Sequence, residues 1–470
     1  MSSPRRPFWI ICALAALHGL FFIWYQRPDW TIARAWPDQD GYRRLGQVLA
    51  TTGKFTRFPD APAFVPEVLR TPAYPLFVAA IYKLFGTAQL PIALAQTAIF
   101  VAICALVYAI ARQLVPESVA VVAAALTAAY APIPYFGALV MTEVWTTLLF
   151  TLSMLLVMRG YRCGRMRDFA LLGVALGATA LSRPAFALFP VALTAVGVVL
   201  LPIFRVRARP SVSRWAVMLI TFGVTMLPWF TYNYATLGVF TLSPAGGVGR
   251  GLWEGSWQAT WSGRVQDELT QLADSIDDRA ELDRRVQAVA DREHLSAQPM
   301  LDYVHQWEDI RVIWTEPVDS AARAKARIAA DREYLRVGLD NVGRDPLPHM
   351  VRRLSRGVFL LWAGEIPFRY TDINTLPPAL IYACWAAQAA LVALALAGAA
   401  ALARRGQMGA AWLLAAPLIY ITAVHLPLLK EARQSLPAQP IVMLLAAIGL
   451  ASLSGRSLAG EPQVHERQHL

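Results

Sequence analysis

Long apolar runs alternate with short basic connections along most of this chain, and two polar stretches interrupt the pattern. Ten segments, at about 8–25, 88–112, 117–137, 140–159, 168–183, 184–204, 215–235, 376–403, 409–429 and 435–454, approach the length of a membrane span. A helix crossing a bilayer core of ~30 Å needs ~20 mostly apolar residues, because backbone N–H and C=O groups must be satisfied internally there. The pattern predicts an all-α, polytopic membrane protein of about ten transmembrane helices. Its parts are an N-terminal transmembrane core over 1–235 containing an outer loop at 26–87, an insertion over 236–375, C-terminal helices over 376–455, and a polar tail over 456–470.

The insertion holds more than half of the acidic residues of the chain. Arg264 to Leu295 and Ser320 to Asn341 have apolar residues at three- and four-residue steps, so it reads as a mainly helical soluble unit. Gly246-Gly247-Val248-Gly249 and Glu316-Pro317 read as loops, and the glycines around 246–251 offer hinge points for a lid. His349 to Trp362 is apolar on one side and carries Arg352, Arg353 and Arg356 on the other, which suits a helix lying in the interface.

Charge then orients the chain. A formal net charge of +11 over 470 residues would suit a nucleic-acid binder, but the arginines fall in alternate connections. Arg5 and Arg6, then Arg159, Arg162, Arg165 and Arg167, then Arg205, Arg207, Arg209 and Arg214, then Arg404 and Arg405 mark one face as cytoplasmic. No nucleic-acid partner is expected; membrane lipids are. Loops 26–87 and 236–375 then face the periplasm of a bacterial inner membrane. The first span lacks a small-residue cleavage site and reads as a retained anchor. Cys12, Cys104, Cys163 and Cys384 make no disulfide or zinc pattern.

Candidate chemistry concentrates just outside the spans. The first outer loop runs Trp36-Pro37-Asp38-Gln39-Asp40-Gly41-Tyr42 and on to Glu67-Val68-Leu69-Arg70-Thr71-Pro72-Ala73-Tyr74-Pro75. Glu143 begins the fourth span, where a carboxylate in an apolar helix is costly.

Four separated motifs resemble the GT-C superfamily of integral-membrane glycosyltransferases, in the bacterial branch related to protein O-mannosyltransferases and lipid A aminoarabinose transferases. They are Asp38-Gln39-Asp40-Gly41-Tyr42; Arg70-Thr71-Pro72-Ala73-Tyr74-Pro75; Leu227-Pro228-Trp229 through Asn233-Tyr234 and Gly238 to Phe240; and His425 with Glu431-Ala432-Arg433-Gln434-Ser435-Leu436-Pro437. Tyr232 stands where the family commonly has arginine, and Gln434 where it has tyrosine. The resemblance implies ten or more transmembrane helices, juxtamembrane helices in the first outer loop, and a sugar donor on polyprenyl phosphate. It matches Asp38 to the family's acidic residue.

Such a transfer needs a base for the acceptor, cations for the departing phosphate and an apolar groove for the prenyl chain. The expectation is a glycosyltransferase moving a hexosyl or pentosyl group to an envelope acceptor, whether lipid, glycan or protein. Asp38 is the first candidate for general base, its pKa raised by burial at the membrane edge, and Asp40 the second. Either could instead cap a helix starting near Gly41. Arg70, Arg433 and Arg183 are candidate phosphate ligands, with interfacial anchoring as the alternative for the first two.

Glu143 could orient substrate or simply favour a helix start capped by Thr142. Glu67 could join Asp38 and Glu143 around a divalent metal, or pair with Arg70. His425 reads as a packed helix-end histidine before a ligand or acid. Trp24, Trp229, Tyr232 and Trp362 suit an interfacial belt, and Trp253 and Trp257 remain open as sugar platforms. Two rivals are a polyprenol-linked glycan flippase or transporter, which would carry polar or broken helices at the midplane, and a non-catalytic envelope scaffold, which would have lost the carboxylates.

Overall fold

The computed structural model describes residues 6–26, 37–206, 210–315, 320–364, 377–428 and 431–455. The tail from 456 and the Glu316-Pro317 punctuation lie outside the described residues. Every regular element among the described residues is helical. In chain order they are α1 (Arg6–Tyr25), α2 (Pro37–Thr52), α3 (Ala73–Phe85), α4 (Gln89–Ala111), α5 (Glu117–Ala129), α6 (Pro132–Gly137), α7 (Glu143–Cys163), α8 (Met166–Ala180), α9 (Pro184–Ile203) and α10 (Val212–Leu237). There follow α11 (Val248–Trp257), α12 (Gly263–Ser275), α13 (Arg279–Glu293), α14 (Ala297–Thr315), α15 (Ser320–Arg344), α16 (Pro346–Arg352), α17 (Pro378–Arg404), α18 (Met408–His425) and α19 (Ala432–Leu453).

Among the described residues eight helices are long and apolar enough to cross a membrane: α1, α4, α7, α9, α10, α17, α18 and α19. Two of the ten expected spans are shorter. The run 117–137 breaks after Ala129, where Pro132 and Pro134 remove backbone donors and start the short α6. The run 168–183 gives the 15-residue α8, which at 1.5 Å per residue reaches only about 22 Å. Both pack inside the bundle, α5 on α4 and α19, and α8 on α7 and α10.

Close helix approach comes from small residues, as membrane packing favours. A Cβ on Gly398 would lie 1.9 Å from the Leu445 carbonyl, and one on Gly449 would lie 2.1 Å from the Leu394 carbonyl, so α17 and α19 touch backbone to backbone. The arginine-rich connections share one end of the bundle: the Arg214 guanidinium lies against Gly164, and the Tyr161 hydroxyl against Gly409.

At the opposite end α2 and α3 pack together; the helical insertion α11–α15 follows α10 in sequence. That insertion has its own core, in which Trp253 is fully buried, stacked on Tyr303 at 5.2 Å and donating its indole N–H to Gln306. Trp257 stacks on Trp261 and donates to the same Gln306 oxygen. These two rings are packing groups, not sugar platforms. Gly249 and Gly251 are helical, and a Cβ on Gly249 would meet the Asp331 carbonyl at 1.8 Å, so this segment is clamped onto α15 rather than hinged as a lid.

The stretch from α16 through two π-helical turns, Arg353–Gly357 and Leu360–Gly364, also departs from expectation. Arg353 is buried, donating to the carbonyls of Leu426 and Leu428 and to Gln258. Arg356 donates to the Ala259 carbonyl. Leu361 and Trp362 sit in the main core, with Trp362 Nε1 donating to Thr422. The segment therefore straps the insertion to the end of α18, while Leu347, Val351 and Leu354 stay exposed along it. Trp229 is likewise buried and donates to the Leu242 carbonyl while stacking on Tyr232, whereas Trp24 stays exposed as a belt residue would.

Candidate active site

The charged groups of the first outer loop meet those of two distant segments at the rim that carries α2. Helix α2 begins at Pro37, so Asp38 and Asp40 both lie in its first turn, where carboxylates are favoured by the helix dipole, and neither caps a start near Gly41. Gln39, buried between them in sequence, accepts from the Val140 N–H at 2.8 Å and pins the turn to the segment before α7. The alternation points the two aspartates apart. Asp40 is 85% exposed and 3.9 Å from Arg43, out of the cluster, which removes it as the second candidate base.

Asp38 is held between two arginines far away in sequence. Its Oδ2 lies 3.2 Å from Arg433 Nη1 and its Oδ1 3.6 Å from Arg70 Nη2. Burial pushes the Asp38 carboxyl up, but Arg433 and then Arg70 pull it down further, and the net result is below the ordinary carboxylate range. This reverses the expectation of a raised pKa: the two guanidinium charges outweigh desolvation.

Arg70 lies over the Tyr42 ring at 4.7 Å, and Tyr42 meets Tyr74 edge-on at 5.2 Å. Tyr74 donates to Gln96, which in turn donates to the carbonyls of Gly137 and Leu139. The guanidinium thus rests on a shelf built from α2, α3 and α4. Its Nε and Nη1 are buried with no hydrogen-bond partner among the described residues. Gly41 makes the position accessible, since a Cβ there would lie 2.1 Å from Arg70 Nη2.

Arg433 enters from the start of α19. Its Nη1 also reaches Glu143 Oε1 at 3.7 Å, and its Nε pairs with Glu431. Glu431 and Gln434 form a capping box, in which Glu431 N–H donates to Gln434 Oε1 at 3.2 Å. Gln434, which departs from the family's tyrosine, therefore fixes the turn that presents Arg433.

Glu143 is fully buried, paired with Arg183 Nη2 at 2.6 Å, while its Oε2 has no hydrogen-bond partner among the described residues. Arg183 also donates to Thr142 Oγ1 at 3.2 Å and to the Arg433 carbonyl at 3.3 Å. Thr142 makes no side-chain cap, so its hydroxyl serves Arg183 and not the helix start. Through these three contacts Arg183 braces Arg433 and Glu143.

The other candidates lie elsewhere. Glu67 is buried and pairs with Arg57, not with Arg70, and its Oε1 accepts from the Leu69 N–H at 2.8 Å. It braces the loop that ends in Arg70. His425 is buried at the end of α18 with Nδ1 2.9 Å from the Ile421 carbonyl, a packed helix-end histidine. Among the described residues no three His, Cys, Asp or Glu side chains gather as a metal site. The donor set does not fit a divalent cation either, because the Arg433 guanidinium stands between Asp38 and Glu143 while Glu67 is committed to Arg57.

Gln39, Tyr42 and Glu431 are positioning groups that sequence reasoning did not single out. All three stand within the motifs quoted above, but nothing in their spacing reveals a shelf or a brace.

A multi-helix membrane fold carries the helices α2 and α3 in its first polar loop and gathers carboxylate and guanidinium groups at one rim. Residues 69–235, about a third of the chain, match the family described as dolichyl-phosphate-mannose-protein mannosyltransferase. The fold is similar to the Archaeoglobus fulgidus oligosaccharyltransferase tethered with an acceptor peptide, at 15% identity and a TM-score of 0.52 over 95% of this chain and 50% of that one. The apo form of that enzyme gives 13% identity and a TM-score of 0.52 over the same shares. ArnT from Cupriavidus metallidurans bound to undecaprenyl phosphate matches at 12% identity and a TM-score of 0.41, covering 96% of this chain and 79% of that one. The chain spans about half the length of the oligosaccharyltransferases. No curated protein matches it in sequence.

Proposed function

We propose that the protein transfers one hexosyl or pentosyl group from a polyprenyl-phosphate carrier to an envelope acceptor at the periplasmic face of a bacterial inner membrane. Asp38 is the general base, and Arg70 and Arg433 hold the donor phosphate. The observation that carries this reading is the Arg70 guanidinium: two of its nitrogens, Nε and Nη1, are buried without a partner among the described residues, beside a carboxylate. Buried donors are normally satisfied, and a phosphate oxygen is a strong acceptor that a guanidinium fork matches.

In the reaction the acceptor's O–H or N–H gives its proton to Asp38 while its heteroatom bonds to the anomeric carbon. The bond from that carbon to the phosphate oxygen breaks, and the phosphate leaves with its electron pair and charge opposite the two arginines. In the resting protein those arginines hold Asp38 weakly basic. A donor phosphate engages the same guanidinium groups, and its negative charge beside Asp38 raises the carboxylate's proton affinity as the donor binds. Arg183 and Glu143 keep Arg433 in place, and the apolar helices α4 and α7 supply the greasy surround for the carrier.

The test is transfer by purified protein in lipid, offered a panel of polyprenyl-phosphate sugars and an envelope extract, comparing wild type with Asp38→Asn. Carrier release by the wild type alone supports the reading. Equal release by the variant removes Asp38 from the role of base.

A further inference from the structure

A second basic cavity, of about 190 Å³, opens where the first outer loop meets the insertion. Arg57, Phe58, Val65 and Val68 line it from the loop, and Arg323 and Arg327 from α15. Three guanidinium groups thus face one small space, and no acidic side chain is among the described residues lining it. We propose that this cavity is an anion subsite for a phosphate group carried by the acceptor; the acceptor assignment rests on the glycosyl-transfer reading above.

Three observations support the assignment. The arginines are held apart and pre-placed: Arg57 by its pair with buried Glu67, and Arg323 and Arg327 at i and i+4 on one face of α15. Burial first, and then the charge of Arg57, hold the Arg327 guanidinium below its ordinary value; the Glu67 carboxylate opposes them, and Arg70 and Arg250 add to the lowering. Finally, Val68 in the cavity wall is two residues from Arg70 in the site, at most about 7 Å along the chain. A phosphate seated here would bring an attached hydroxyl or amine next to Asp38.

Position favours acceptor over donor. The donor's prenyl chain must stay among the spanning helices, so its phosphate belongs at the rim with Arg70 and Arg433. This cavity is walled by the soluble insertion and faces what arrives from the aqueous side. Its apolar lining, Phe58, Val65 and Val68, suits the carbon skeleton next to a phosphate.

The experiment uses the full chain in phosphatidylcholine nanodiscs. Inorganic pyrophosphate and glucose 6-phosphate are titrated calorimetrically into wild type, Arg323→Gln and Arg327→Gln, with phosphatidic acid in the disc as the lipid arm. Loss of one guanidinium is expected to weaken binding about tenfold or more, with steeper loss in salt. Glucose 6-phosphate binding identifies a soluble glycan phosphate as the source, and phosphatidic acid binding alone a lipid headgroup; either supports the subsite. Unchanged affinity in both variants overturns it. Carrier release is then followed against envelope-extract concentration: a raised half-saturation point in the variants at similar maximal rate supports an acceptor role. An unchanged one overturns that role while leaving the Asp38 assignment standing. No carrier release by wild type, with arginine-dependent anion binding intact, overturns the transferase reading and the acceptor role together but not the anion site.

Discussion

Gly41→Ala tests whether the Arg70 guanidinium must sit where the structure puts it. The added Cβ would lie 2.1 Å from Nη2, 2.4 Å from Cζ and 2.8 Å from Nη1 of Arg70. Ordinary contact begins at about 3.4 Å, so the guanidinium must retreat by about 3.4 − 2.1, or 1.3 Å. Such a shift lengthens the 3.6 Å approach to Asp38 and disturbs the stacking on Tyr42. Misplacement of a reacting or binding group by ~1 Å costs about a hundredfold in rate. The backbone effect has the opposite sign: position 41 is helical, and alanine in place of glycine there favours the helix by about 0.5–1 kcal/mol. The variant is therefore expected to lose about a hundredfold in carrier release while its thermal midpoint stays level or rises. Turnover within threefold of wild type would refute the placement of Arg70. Lost activity together with a collapsed midpoint would refute the claim that only the guanidinium has to move.

Other perturbations separate chemistry from scaffold. Asp38, lowered by its arginines, is ionised throughout the neutral range; its contribution to stability is present above the unfolded carboxylate value and is lost as pH falls through the lower folded one. Its acid limb should accordingly lie lower in kcat/KM, which reports free protein, than in kcat, where the donor's negative charge sits beside it, and coincident limbs would contradict competition for the arginines. Glu143→Gln leaves Arg183 and Arg433 without their shared buried counter-charge and is expected to cost about 3–5 kcal/mol by denaturant titration. Gln434→Ala removes half of the capping box and should cost about 1 kcal/mol with a larger fractional loss of turnover, since the turn presents Arg433. Arg353→Met strips donors from the Leu426 and Leu428 carbonyls and should lower stability by about 3 kcal/mol, with limited proteolysis showing the insertion loosened from α18.

The sequence by itself determined the class of fold. Apolar length is a local property, because each spanning helix must satisfy its own backbone in lipid, so α1, α4, α7, α9, α10 and α17–α19 are legible as runs of residues. It also brought forward Asp38, Arg70, Arg183, Glu143 and Arg433 as charges at the edges of apolar segments, where charge is conspicuous. Periodicity could not show that α5 and α8 fall short of a full span, since proline breaks and a short helix leave mean apolarity unchanged.

Pairing was decided only by the tertiary structure. Asp38 and Arg433 are 395 residues apart in sequence and 3.2 Å apart in space, and no spacing rule connects them. That proximity lowers a pKa which burial alone would raise, and elsewhere the fold pairs Glu67 with Arg57 instead of with its near neighbour Arg70. Packing against the end of α18 likewise turns Arg353, which reads as an interfacial charge, into a buried clamp. Burial and partner choice depend on the sum of fields and contacts from every element packed around a side chain, whereas the sequence pattern records only the side chain's own chemistry and its neighbours along the chain.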